Sequence, residues 1–308
     1  MRRAALALAS AAGIALAAPA TAGAATFTVG VAADEAAVGP LADGVCDADP
    51  SPGSVRCSLR AAVQEANALP GGDLIVVPAL DGDYDLTLTG PGEDLAASGD
   101  LDLTGPVEIR GEDQPVIDGL FADRVLHVGP GPGSPAVTVS GLELRDGAAA
   151  GRGGGILAEG GALTLERVSV AGSTADAGPG TGEGGGAWLD GGAHVITAST
   201  LSGNTARGDT AATGGGLGAE PGTTLTLVNS TLSRNAAESA SGPAAGGGLY
   251  TGGTSTSLAH VTMDGNRAEG PAGSFGGNVF GYGGGVLFRA TIVSAGLGDP
   301  GSEQCETL

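Results

Sequence analysis

The stretch TLSGNTA, residues 200–206, returns as TLSRNAA at 231–237 and as TMDGNRA at 262–268. The same interval of 31 residues links Ser173, Asn204, Asn235 and Asn266, and it also links Leu165, Ile196, Leu227 and Leu258. Val170, Leu201, Leu232 and Met263 form a third column, and Ala175, Ala206, Ala237 and Ala268 a fourth. Fixed spacing of this kind is the mark of a repeat architecture. Gly triplets beginning at Gly153, Gly184, Gly214 and Gly246 keep nearly the same period, so small length changes fall between the Asn column and the triplet.

Within one unit, ALTLERVSV (162–170) alternates apolar and polar, shifts phase at Glu166-Arg167 and alternates again. Two short strands joined by a bend fit this pattern, and GGGILAEGG (153–161) supplies a third. Three short strands per unit, stacked in register, predict an all-β solenoid of the parallel β-helix type. The Asn then has a reason to recur. At a turn its amide can bond both the local backbone and the Asn of the next coil, so Ser173, Asn204, Asn235 and Asn266 are expected to form a structural ladder.

Composition agrees with a repeat. Sixty Gly against 3% aromatic residues argue against a helical or sandwich core, while 41% hydrophobic residues argue against disorder. The net charge of −21, with Arg as the only basic residue besides His, disfavours nucleic acid and anionic lipid as partners. Residues 1–24 have a basic start at Arg2-Arg3, an Ala-rich apolar run and a small-residue cleavage site, the pattern of a secretory leader. A secreted or cell-surface location is therefore expected, with no transmembrane segment after cleavage.

Residues 25–72 are read as an N-terminal cap, 73–296 as the β-helix and 297–308 as a polar tail, its end expected to be either truncated or covered by a partner chain. In the cap, CSLRAAVQEANAL (57–69) is an amphipathic helix with Leu59, Ala62, Val63 and Ala66 on one face and Ser58 as N-cap. Cys46 and Cys57 bracket a Pro/Gly/Ser-rich loop that a disulfide would close; two ligands of a metal site are the alternative, with no His nearby to complete it. Cys305 is left over.

CSLRAAVQEAN, followed by GDLDLTGPVEIRG (99–111) and VIDG (116–119), resembles bacterial CSLREA-domain secreted and surface proteins. The Gly triplets with a later Asn resemble the repeats of chlamydial polymorphic outer-membrane proteins, which are adhesins. The resemblance implies a right-handed parallel β-helix introduced by a helix, and a role in binding or display. Ala61 departs from the motif, which has Glu there, and removes one half of a capping box.

Parallel β-helices also include pectate lyases and related polysaccharide enzymes, which need convergent carboxylates or a base beside acids that hold Ca²⁺. The best local candidates are Asp118, Asp123, Arg124 and His127, followed by Arg167 and His260 in one column. The bland reading of each is a turn aspartate, a surface ion pair or an isolated His, and His194 reads as a wall residue in a column of Leu163, Leu225 and Thr256. The sequence assigns no catalytic residue, metal or cofactor. Loops after the Asn column (TADAGPGTGE, TARGDTAAT, AAESASGPAA) offer contact surface for glycans or other cell-surface components. Trp188 and Tyr250 take the same place after their triplets, but Gly218 stands between them, so no continuous aromatic platform is expected.

Overall fold

The computed structural model describes residues 23–51, 55–90, 92–129 and 133–294, together with the backbone of 305–307. The leader read at 1–24 lies almost wholly outside the described residues, as does the side chain of Cys305. Among the described residues the chain is a parallel β-solenoid with three long stacked sheets. A nine-stranded sheet runs from Thr26–Thr28 through Asp73–Pro78 and on to Gly285–Arg289, and every neighbouring pair is parallel. Eight strands, from Tyr84–Asp85 to Ile292–Ser294, form the second sheet, and eight, from Leu101–Leu103 to Cys305–Thr307, form the third.

Register follows the columns. Leu165 pairs with Ile196 and Ile196 with Leu227, Val170 with Leu201 and Leu201 with Leu232. These side chains point inward and are buried in one continuous core. At the bend between the first and second sheets, Arg167, Ala198, Asn229 and His260 all adopt left-handed backbone, with φ of 54°, 51°, 51° and 56°. One left-handed residue per coil turns the chain and produces the phase shift seen at Glu166-Arg167.

The Asn column is buried and bonded along its length. Asn204 Nδ2 donates to Asn235 Oδ1 at 3.0 Å and to Val170 O at 3.0 Å. Asn235 Nδ2 donates to Asn266 Oδ1 and to Leu201 O, both at 2.9 Å. Backbone N–H groups of Ser173, Asn204 and Asn235 donate to the next Asn Oδ1. The third glycine of each triplet makes this possible. A Cβ on Gly216 would lie 2.7 Å from Asn235 Nδ2, and one on Gly186 2.8 Å from Asn204 Nδ2. Triplet and Asn are one device: a glycine vacates the volume that the amide fills.

The last unit modifies it. Gly276-Gly277-Asn278 takes the place of a triplet, as Leu249 N donates to Asn278 O in the way that Leu217 N donates to Gly248 O. The Asn278 amide occupies the next rung, accepting from Asn266 Nδ2 at 2.8 Å and donating to Ser294 O at 3.0 Å.

Each full unit has five strands rather than the three expected. The segments read as loops after the Asn column form two further sheets, one of five strands (Ala148–Ala149 to Arg267–Glu269) and one of four (Thr181–Glu183 to Ser274–Phe275). Ala212, Ala237, Ala244 and Ala268 form a small separate core between them. Only methyl-sized side chains fit the inside of so narrow a lobe, which is why Ala stands at its inward positions in place of the Val, Leu and Ile that fill the main core.

In the cap, helix Leu59–Ala68 is N-capped by Ser58, whose Oγ accepts from Ala61 N at 3.1 Å. Cys46 and Cys57 are disulfide-bonded. The helix is buried on more than its apolar face, since Arg60, Gln64 and Glu65 are covered as well. Gln64 Oε1 accepts from Ala37 N and the Glu65 carboxylate from Ala42 N and Gly44 N, so the chain before the helix wraps its polar side. No helix among the described residues is long and apolar enough to cross a membrane.

His194 is a core residue. Its ring sits in the inward column beside Leu163 and Leu225, with Nδ1 accepting from Leu163 N at 3.2 Å and Nε2 donating to Gly191 O at 2.6 Å. Burial lowers its pKa, against a smaller raising effect of the Gly191 carbonyl. The unfolded chain therefore takes up a proton that the folded ring resists. Stability from this group is full above 6.5 and is lost as pH falls from there toward the lowered folded value. The fall in melting temperature from about pH 7.5 to about pH 5.5 should be smaller in His194→Leu than in the parent chain; equal falls would remove His194 from the acid response.

Candidate functional site

The third sheet carries the chemistry. Along it, Leu126, Ile156, Ala187, Leu217, Leu249 and Val279 point into the core. Alternation turns the next residue of each strand outward, giving one column of Asp102, His127, Leu157, Trp188, Gly218, Tyr250 and Phe280. The column is polar at its N-terminal end and aromatic at the other.

At the polar end, His127 Nε2 lies 2.9 Å from Glu159 Oε2 and Nδ1 lies 3.3 Å from Asp102 Oδ1. Arg124 Nη1 pairs with Asp100 Oδ2 at 2.8 Å. Burial pushes the Asp100 carboxyl up to about 7, with Arg124 opposing and Asp102 and Asp123 adding to the rise. The His127 imidazole lies above its ordinary value: burial pulls it down, and the Asp102 and Glu159 carboxylates on its two nitrogens outweigh that. Asp102 Oδ1 acts there as an electrostatic neighbour, because no aligned hydrogen bond joins it to Nδ1.

The four local candidates do not converge. Asp123, Arg124 and His127 gather near Asp100, but Asp118 belongs to the second sheet, where its Oδ2 accepts from Arg145 Nε at 2.7 Å. Asp118 instead neighbours Asp83 and Asp85, beside a recess of about 400 Å³ lined by Asp34, Glu35, Asp83, Asp85 and Thr87. Burial raises the Asp85 pKa, with Asp118 and Asp83 adding and Arg145 opposing. Arg167 pairs with its neighbour Glu166, and with His260 it sits at the left-handed bend, three coils apart.

At the aromatic end the rings do stack, contrary to the expectation set by Gly218. Trp188 and Tyr250 lie 6.3 Å apart with planes 16° from parallel, and Tyr250 and Phe280 lie 5.8 Å apart at 14°. Gly218 is the reason. A Cβ there would come within 2.2 Å of the Trp188 ring, so the missing side chain gives the indole room to lie across the intervening coil.

The four-stranded side sheet walls this face. Phe275 packs on Phe280, and Glu183 accepts from Arg152 Nε at 2.6 Å while the Arg152 guanidinium lies 5.6 Å from the Trp188 ring centre. Arg152 also reaches Glu220 at 3.2 Å and Asp190 at 3.5 Å. Burial raises the Glu183 pKa against the opposing Arg152, with Glu220 and Asp190 adding to the rise. Trp188 is thus only 1% exposed on an outward position, whereas Tyr282, at the end of the face, is 60% exposed. Trp188 Nε1 and the Thr213 hydroxyl are buried without a hydrogen-bond partner. Sequence reasoning misses the Arg152 network, although Glu159, Asp190 and Glu220 each follow a triplet at matching positions.

No family model matches the chain, and no curated protein matches it at a significant level. A solved structure, the crystal structure of pectate lyase Pel9A, is similar in backbone with a TM-score of 0.40 and 14% sequence identity, over 93% of this chain and 79% of that one.

Proposed function

We propose that this chain is an exported β-helix that works by binding and display, holding an extended glycan against the outward face of its third sheet. The observation that carries this reading is the exposed ring of Tyr282 beside the half-buried Tyr250, at the end of a stack whose inner rings, Trp188 and Phe280, are buried and hold it in place. Aromatic faces bind the apolar faces of sugar rings, and the Arg152–Glu183–Glu220 cluster beside them supplies hydroxyl-directed donors and acceptors. Export rests on the leader-like composition of 1–24, and the CSLREA-like motif at 57–67 supports a surface or secreted setting.

The competing reading is a polysaccharide lyase or glycoside hydrolase. Its best carboxylate set is divided, with Asp118 on one sheet and Arg124 and His127 by another. A glycan array followed by affinity electrophoresis should find a polysaccharide ligand, with Tyr282→Ala weakening binding about tenfold. Absence of binding to any glycan, or release of sugar from a polymer, would reverse the proposal.

A further inference from the structure

The polar end of the column has a feature that neither glycan binding nor packing explains. Asp102 is fully buried and His127 is only 6% exposed, yet Asp102 Oδ1 and His127 Nδ1 make no hydrogen bond. They face one another at 3.3 Å, with Asp94 Oδ1 at 3.9 Å from the same nitrogen. Buried polar atoms without partners are costly and rare.

The remaining atoms of these residues are fixed. Asp102 Oδ2 accepts from Ala96 N at 2.7 Å, and Ala96 O accepts in turn from Arg60 Nη1 and Gln64 Nε2 of the cap helix. On the other side, His127 Nε2 meets Glu159 Oε2 at 2.9 Å. In the neutral ring, donation from Nε2 to Glu159 leaves the lone pair on Nδ1, on the side of Asp102 and Asp94, where a bound cation takes the place of the proton that the carboxylates otherwise favour. A carboxylate behind an imidazole in this way is the usual outer support of a metal-binding His.

We propose that His127 Nδ1, Asp102 Oδ1 and Asp94 Oδ1 bind one divalent transition-metal ion of the zinc class. Each of the three residues offers a ligand atom within 4.8 Å of those of the other two. Zinc holds N and O ligands at about 2.0–2.2 Å, so ligand atoms of a tetrahedral site stand about 3.3–3.6 Å apart. The His127–Asp102 separation already has that value, and Asp94, whose side chain is 65% exposed, closes the remaining distance by moving. An imidazole ligand favours zinc over calcium and magnesium, which take oxygen. Three protein ligands leave the fourth position open on the Asp94 side.

Zinc titration of the full chain, stripped of metal with chelator, should show one ion per chain by calorimetry. His127→Gln and Asp102→Asn should each weaken binding about a hundredfold or more, and Glu159→Gln about 10–100-fold. Asp85→Asn, in the separate acidic recess, should leave affinity unchanged. No saturable binding, or binding that survives Asp102→Asn in a folded chain, would overturn the proposal. Should that variant fail to fold, the cobalt-loaded parent chain decides: one paramagnetically shifted, exchangeable imidazole N–H signal is expected, and its absence overturns the site.

Discussion

Replacing Asn235 with Ala should destabilise the fold by about 4 kcal/mol, read as a shift of the urea midpoint. The Asn235 side chain accepts at Oδ1 from both Asn204 N and Asn204 Nδ2, and donates from Nδ2 to Leu201 O and Asn266 Oδ1. Truncation leaves the buried Asn204 N–H without an acceptor, and each such orphan costs about 1–3 kcal/mol before the void itself is counted. Asn235→Ser should cost less, because Ser173 serves in this column one end of the row earlier, its Oγ accepting from Gly147 N at 3.2 Å. Gly216→Ala should also be severe, its methyl falling 2.7 Å from the Asn235 amide. The two substitutions together should cost less than their sum, since Asn235→Ala removes the amide that the added methyl strikes, while the clash with the Gly248 carbonyl at 2.8 Å remains. Strict additivity would show that glycine and amide are independent.

The second large effect is expected at Arg60. Its guanidinium is fully buried, forked onto the Asp34 carboxylate at 2.6 and 3.1 Å, and it donates to the carbonyls of Ala96, Gly99 and Asp100. Arg60→Met strands a nearly buried carboxylate and should cost about 3–5 kcal/mol by the same measurement. Lys at this position should recover little, for it lacks the planar fork. The double variant Arg60→Met with Asp34→Leu should be more stable than Arg60→Met alone, because no uncompensated charge remains. If it is not, the carbonyl contacts to the 96–100 segment dominate, and the ion pair is secondary.

Much of the solenoid is legible in the sequence because parallel strands in register give every coil the same environment. A buried turn position that suits Asn in one coil suits it in the next, and the spacing between Asn204, Asn235 and Asn266 reports that directly. Asn278 escapes such reading, since it continues the row from within a different column, in place of a glycine. The side strands escape for another reason. Their Ala, Gly and Thr composition matches loops, although the regular column from Ala175 to Ala268 signals their order.

The functional face is less readable. His127 resembles an isolated residue because Asp102 and Glu159 reach it from neighbouring coils, across early units of irregular length. Gly218 reads as a gap in an aromatic row, yet it is the absence of a side chain that lets Trp188 cross to Tyr250. A pattern of residue types shows where rings are missing and not where a neighbouring ring leans.

The side lobe absorbs the one-residue differences between units, and the rungs on either side of it stay aligned. Its tip, at 177–180 between Thr174–Asp176 and Thr181–Glu183, is therefore a natural graft point. A foreign epitope spliced there would ride on the outside of a rigid rod, and cassettes at the equivalent tips of successive coils would be presented at intervals of about 4.8 Å.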